Sequence, residues 1–273
     1  MLVLGERWND ALQLQILEVA RAQIPARHPQ TVQVRAHVDG AGREFFVKIF
    51  HRDGWLPAFK DQLRRSRAFN CWQQGLALNG AGFKAPLAIA LGAQSGWRIA
   101  RREFVVTEKI CAVALPEYLR GISNGAVALR SKRKNIERLA QLIRRFHAAG
   151  FVHGDLLAGN IFIAAGADND GEFYFMDNDR TRRYPSWSCQ SLWKRNLIQL
   201  NRLPLPGISL QDRMRFLRGY LDVKQLSAAD RRFARWLESR TRQRRKECDG
   251  ADPTMSFRQL MRWTPVLDAA RER

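Results

Sequence analysis

Residues 152–160 read V-H-G-D-L-L-A-G-N, and residues 173–179 read F-Y-F-M-D-N-D. The reading of these two segments decides the fold and the chemistry together. Phosphoryl transfer asks little covalent help of a protein. It needs an in-line hydroxyl, positioned groups, and metal ions that spread the charge of the transferred phosphoryl. Asp155 opens a short loop and can accept a hydroxyl proton. Asn160, one loop length later, can turn its amide oxygen toward a hard cation such as Mg2+, and Asp177 adds a charged ligand. Ile161–Ile163 and Phe173–Met176 are short apolar runs of strand type that bracket Gly166–Gly171, a stretch rich in Gly, Asp and Asn. A hairpin carrying the candidate groups at its ends is expected. Taken singly, Asp155 and Asn160 read as turn caps and Asp177 as a strand end, the ordinary use of Asp and Asn near glycine. Taken jointly, behind His153-Gly154 and a helix that feeds the loop, they read as a catalytic set.

Upstream of this set, Ile136, Leu139, Ile143 and Phe146 follow the spacing of a buried helical stripe that delivers the loop. His147 beside it is read as a packed or hydrogen-bonded structural histidine, and His153 as architectural. Further out, 7–23 reads as a helix, 31–50 as a β-hairpin turning at Asp39-Gly40-Ala41-Gly42, and 57–80 as a helix ending at Asn79-Gly80. Strands near 85–92 and 97–107 complete a small antiparallel sheet. Downstream, 189–201, 209–222 and 227–247 read as helices, the first two separated by Pro204–Gly207, and a short element follows Asp249. Lys48 lies in the apolar run Phe45-Phe46-Val47-Lys48-Ile49-Phe50, where alternation places its ammonium on the face of Phe46 and Phe50. An internal cation there wants an anion. A lysine that discourages pairing of an edge strand is the plain alternative.

At this point the chain resembles the kinase-like enzymes whose catalytic loop reads H-G-D, and within them the lipopolysaccharide core kinases that act on Kdo and heptose. The pieces that carry the resemblance are F-F-V-K-I-F at 45–50, R-S-R-A-F-N-C-W at 65–72, A-G-F-K-A-P-L-A at 81–88 and V-T-E-K-I at 106–110. F-H-A-A-G-F-V-H-G-D-L at 146–156, M-D-N-D-R-T-R at 176–182 and L-W-K-R-N-L-I-Q-L at 192–200 continue the series. The resemblance implies an α+β, protein-kinase-like fold of two lobes: residues 1–109 with the nucleotide-binding sheet, and residues 110–273, mainly helical. It also implies Asp155 as catalytic base, Asn160 and Asp177 as Mg2+ ligands, Lys48 as a contact to the ATP phosphates, and Glu108 and Ile110 as hinge positions facing the adenine edge.

Two departures stand out. Kinase folds usually pair the strand lysine with a Glu on the next helix, and Cys71 stands about where that acid is expected. Asp61, Gln73 and Gln74 are nearby substitutes, or Lys48 is held by Asp177 and the nucleotide alone; loss of the pair also opens the reading of weak or absent catalysis. A glycine-rich phosphate loop is missing as well, since Gly40 and Gly42 serve the hairpin turn. A loop over the phosphates would fall nearer Ala26–Gln30, with Arg27 and His28 as contacts.

A chain of 273 residues with 45% hydrophobic content buries a full core and is not disordered. No stretch reaches the roughly 18 apolar residues of a spanning helix, and the start lacks a secretion signal's basic and apolar regions. The expectation is a cytoplasmic protein, peripherally associated with the inner membrane. Cys71, Cys111, Cys189 and Cys248 are scattered without a C-x-x-C, so neither a zinc site nor a disulfide framework is indicated. Against 26 acidic residues stand 46 Lys and Arg, a net +20, clustered at Arg64–Arg67, Arg130–Arg138, Arg180–Arg183 and Arg240–Lys246. Such charge predicts a polyanionic partner: an anionic membrane surface, a phosphorylated lipid sugar or nucleic acid. No nucleic-acid-binding signature is visible, so the lipopolysaccharide core is preferred, with Arg180, Arg182 and Arg183 as acceptor-binding candidates. Two other functions compete: a small-molecule kinase similar to aminoglycoside or choline phosphotransferases, and an inactive kinase-like module that binds anionic lipid or nucleic acid.

Overall fold

The computed structural model describes residues 3–4, 14, 30–36, 43–52, 66–94, 101–123, 128–164, 171–185, 187, 190–202, 208–249 and 259. The expected helix at 7–23, the turn at 39–42, the Arg27 and His28 contacts, Asp61, the break at 204–207 and the element after Asp249 lie outside the described residues. The chain forms two compact units, one of residues 1–111 with 174–181, the other of residues 112–173 with 182–273.

The first unit is built on a five-stranded sheet of β1 (Val3–Leu4), β2 (Gln30–Ala36), β3 (Arg43–Arg52), β4 (Ala88–Gln94) and β5 (Arg101–Glu108), and it includes the helix α1 (Arg67–Gly80). Its order is β1-β4-β5-β3-β2, with neighbouring strands antiparallel, Lys48 lying opposite Val105 on one side and Thr31 on the other. Alternation along β3 buries both faces. Phe45, Val47 and Ile49 pack with Ile89, Ala90, Phe104 and Val106. Phe50 turns the other way onto Ala68 and Val105, with Cys71, Trp72, Ala88 and Leu91 against them. Ser66 caps α1 by accepting from the Phe69 N–H at 3.0 Å. The helix closes at Gly80, as its Asn-Gly ending predicts.

In the second unit, β6 (Val113–Ala114) leads into α2 (Leu115–Ser123), and α3 (Leu129–Ala148) follows. Leu139, Ile143 and Phe146 of the expected stripe are buried. Ala149 caps the helix and Gly150 follows with a φ of +84°, which an L side chain rarely adopts, and a Cβ there would lie 2.2 Å from the Tyr184 carbonyl oxygen. Strand β7 (Phe151–Val152) then precedes the loop, β8 (Ile161–Ala164) follows it, and β9 (Glu172–Phe175) begins in this unit and ends in the first. The order β6-β8-β9 places the two arms of the expected hairpin side by side. A two-residue strand, β10 (Arg182–Arg183), pairs antiparallel with β7. Three helices complete the unit: α4 (Gln190–Asn201), α5 (Leu210–Leu221) and α6 (Ala228–Asp249). A buried Lys132–Asp212 pair at 2.6 Å joins α3 to α5. Burial alone would raise the Asp212 carboxyl, but Lys132 and the Ser209 cap together hold it below the usual carboxylate range.

Candidate active site

Lys48 sits on β3, which lies between β5 and β2. It is therefore not an edge-strand lysine, and the aggregation-guard alternative is removed. Its side chain is 19% exposed, its ammonium stands 5.1 Å from the centroid of the Phe50 ring, and it donates to Asp177 Oδ1 in an ion pair. Asp177 leaves β9 with φ 56° and ψ 52°, the left-handed region, just before the 3-10 turn Asn178–Arg180. A non-glycine residue there carries strain that persists only where the surroundings fix it. Here Asn178 donates from Nδ2 to the Phe175 carbonyl at 2.7 Å, and the Thr181 N–H donates to the Asn178 carbonyl at 3.1 Å.

Cys71 stands near Lys48, at the position where an acid was expected, yet it supplies no charge. Burial pushes its thiol up to about 11, against the pull of Lys48. Lys48 is thus held by Asp177, one of the arrangements that the sequence left open. The helix contributes a different ion pair: Arg67 donates from Nε to Asp179 Oδ2 at 2.6 Å. Burial and the neighbouring Asp177 charge push the Asp179 carboxyl upward, while Arg67 opposes the shift. Sequence reading missed both residues, although the second Asp of D-N-D was in plain view.

The candidate catalytic loop is built from within the second unit. Gly154 takes φ +72°, which the H-G-D motif supplies at no steric cost. The Asp155 N–H donates to the His153 carbonyl at 2.7 Å, and the Asp155 carbonyl accepts from the Leu157 N–H at 2.8 Å and from Asn160 Nδ2 at 2.9 Å. Helix α4 braces the loop. Gln199 Nε2 donates to the Gly154 carbonyl at 3.2 Å and to Asp155 Oδ1 at 3.4 Å, and its Oε1 accepts from the Leu156 N–H at 3.2 Å. Asn196 Oδ1 accepts from the His153 N–H at 3.1 Å. Sequence reading placed this helix but not these two amides. His147 is structural as expected: it is buried, stacks on Trp193, and bonds Tyr220 Oη at 2.9 Å and Asn196 Oδ1 at 3.3 Å.

The donor groups suit Mg2+. With its amide nitrogen bound to the Asp155 carbonyl, Asn160 presents its oxygen for coordination, and the Asp177 side chain is 38% exposed. Among the described residues, no three His, Cys, Asp or Glu side chains gather into a metal cluster. A carboxylate in the first unit and an amide in the second are each oxygen donors of the kind that suits a hard cation keeping several of its waters.

The remaining candidates fall elsewhere. Glu108 ends β5 with its N–H donating to the Leu87 carbonyl at 3.0 Å, and the Lys109 N–H donates to the Glu44 carbonyl at 3.0 Å; Ile110, half-buried, follows. Arg180 is exposed on the turn after Asp177. Arg182 and Arg183 lie opposite Val152 and Phe151, on the strand that feeds the catalytic loop. Arg183 also has packing duties, since its Nε donates to the Ala149 carbonyl at 3.1 Å and its guanidinium stands 5.4 Å from the centroid of the Phe151 ring.

Comparison with known proteins adds the decisive observation. The profile of the Lipopolysaccharide kinase (Kdo/WaaP) family matches residues 23–220. The chain belongs to that family. The 3-deoxy-D-manno-octulosonic acid kinase of Xylella fastidiosa strain 9a5c is 37% identical over 95 residues, 33% of this chain and 35% of the relative. The protein of the same name from strain M23 is 38% identical over 71 residues, 25% of this chain and 27% of the relative. The chain thus spans about a third of the length of the curated relatives it matches. A solved structure described as "WaaP in complex with acyl carrier protein" superposes with a TM-score of 0.61 at 22% identity, covering 89% of this chain and 98% of that one. The family's mixed helix and antiparallel-sheet fold is therefore shared, as the motifs led us to expect.

Proposed function

We propose that this protein is an ATP- and Mg2+-dependent phosphotransferase that phosphorylates a sugar hydroxyl, of Kdo or heptose, in the lipopolysaccharide core. The observation that carries the reading is the ion pair of Lys48 with Asp177, a strand lysine and a strained-turn carboxylate from two of the motifs that mark the family. In this account residues 1–109 are the nucleotide lobe and residues 110–273 the acceptor lobe. Asn160 and Asp177 would hold Mg2+, which would offset the charge of the nucleotide phosphates. Lys48 contacts those phosphates, and the Glu108–Ile110 backbone faces the adenine edge. Asp155, oriented by Gln199, accepts the proton of the sugar hydroxyl. Arg180, Arg182 and Arg183 attract the anionic acceptor.

The protein acts at the cytoplasmic face of the inner membrane as a peripheral protein. In support, no helix among the described residues is long and apolar enough to cross a membrane, and the chain carries a net +20. The names of the Xylella relatives make Kdo the first acceptor to assay. Phosphate analysis of lipopolysaccharide from cells lacking the gene tests the reading. The expected result is a core without the phosphate on one inner sugar, restored by the wild-type gene; an unchanged core phosphate content contradicts it.

A further inference from the structure

We infer that Arg67 and Asp179 form the tie that holds α1 to the Asp177 turn, in the role that a helix acid would fill by pairing with the strand lysine. The inference rests on the kinase reading above and adds a positioning residue to it. Arg67 grips Asp179 with both Nε and a terminal nitrogen, Nε at 2.6 Å, and the Asp179 side chain is only 2% exposed. Both nitrogens converge on the one oxygen, Oδ2, a charge-assisted contact that fixes where the carboxylate sits.

The placement of Arg67 is otherwise unfavourable. It is the first residue of α1, whose first turn contains no acid, and a cation at a helix N-terminus opposes the helix dipole. The buried carboxylate two residues past Asp177 explains why an arginine stands there. Lys48 and Arg67 also flank one aromatic ring, at 5.1 Å and 5.2 Å from the Phe50 centroid. The two ion pairs, Lys48–Asp177 and Arg67–Asp179, therefore share a support. Cys71, one turn further along the helix, brings no carboxylate to Lys48. Without Arg67 the Asp179 carboxylate stays buried and loses the guanidinium that grips it. It then has reason to leave its site and to draw the left-handed Asp177 turn with it. Asp179 is thereby assigned to support, and Asp177 to the metal.

The test is calorimetric titration of nucleotide with and without Mg2+ on the full chain, with thermal melting of each variant. Arg67→Gln and Asp179→Asn should each weaken Mg2+-dependent nucleotide binding at least tenfold in protein that remains folded. The double variant should be no weaker than either single one, because both remove the same tie. Arg67→Lys, which keeps the charge but not the fork, should fall between wild type and Arg67→Gln, and it serves as the readout if Arg67→Gln does not fold. Hydrogen exchange at the 177–181 amides should rise in step. Asp177→Ala is the reference. Loss of binding in Asp177→Ala with Arg67→Gln within twofold of wild type overturns this inference and leaves the kinase reading intact. Wild-type protein that shows no Mg2+-dependent nucleotide binding overturns both.

Discussion

His147 lies 2% exposed between Trp193, Tyr220 and Asn196, and burial draws its imidazole down to about 4 against the pull of the Asn196 bond. An unfolded histidine titrates near 6.5, so between these values the unfolded chain binds a proton that the folded chain refuses. Stability from the neutral ring is complete above about pH 6.5 and is lost as pH falls toward 4, a contribution of at most about 3 kcal/mol. Urea unfolding of wild type and His147→Phe at several pH values should give the steeper decline in wild type; parallel pH profiles would refute the assignment. Cys71 teaches a related lesson. Its position beside the strand lysine was legible from spacing, but its state was not, because a thiol's charge depends on burial that only the packed helix reveals. Lys48 itself was legible as an internal cation. That its strand is central depends on sheet order, which no local pattern encodes.

At the scale of elements, the helices at 190–201, 210–221 and 228–249 fall within two residues of the bounds read from periodicity and punctuation. The hairpin arms β8 and β9 were equally legible, since short apolar runs around a polar turn have few other uses. What escaped was the joinery. Asn196 and Gln199 brace a loop some 40 positions earlier, and Arg67 meets Asp179 at a separation of 112. Such partners are selected by tertiary placement, and their own sequence neighbourhoods give no sign of them. The α3–α5 tie is of this kind. Lys132→Met should cost less than the roughly 3–5 kcal/mol of a fully uncompensated buried charge, because Arg215 at 2.9 Å and the Ser209 cap still hold the Asp212 carboxylate. Adding Asp212→Asn, which keeps a cap for α5, should recover much of that loss in urea titrations. A double variant as unstable as the sum of both singles would count against the pair. Gly150→Ala should also destabilise, by more than about 1 kcal/mol, given its positive φ and the Tyr184 carbonyl in the way of a Cβ.

Across the whole molecule, the +20 charge was the plainest bulk property of the sequence, yet its distribution is narrower than the residue runs suggest. In the run Arg240–Lys246, Arg245 is buried with Nη2 donating to the Arg202 carbonyl at 2.5 Å, Arg242 pairs with Glu238 at 2.5 Å, and Arg244 pairs with Glu247 at 3.0 Å. Arg231, Arg232 and Arg235 are exposed on the same helix. An anionic surface attracts each well-placed cation by about 1 kcal/mol and is screened over a Debye length of about 8 Å at physiological salt. Co-sedimentation should therefore show binding to vesicles rich in phosphatidylglycerol at 0.1 M salt, in the convention of about ten ångström screening. Raising the salt severalfold should release the protein, and neutral vesicles should not bind it; salt-insensitive binding would contradict a peripheral electrostatic attachment. The central claim is chemical, and transfer of labelled phosphate from ATP to a Kdo-bearing core acceptor tests it most directly. Asp155→Asn should lower the transfer rate by about 10²–10⁴-fold while Mg2+-dependent nucleotide binding is retained; transfer at the wild-type rate in that variant would contradict the account.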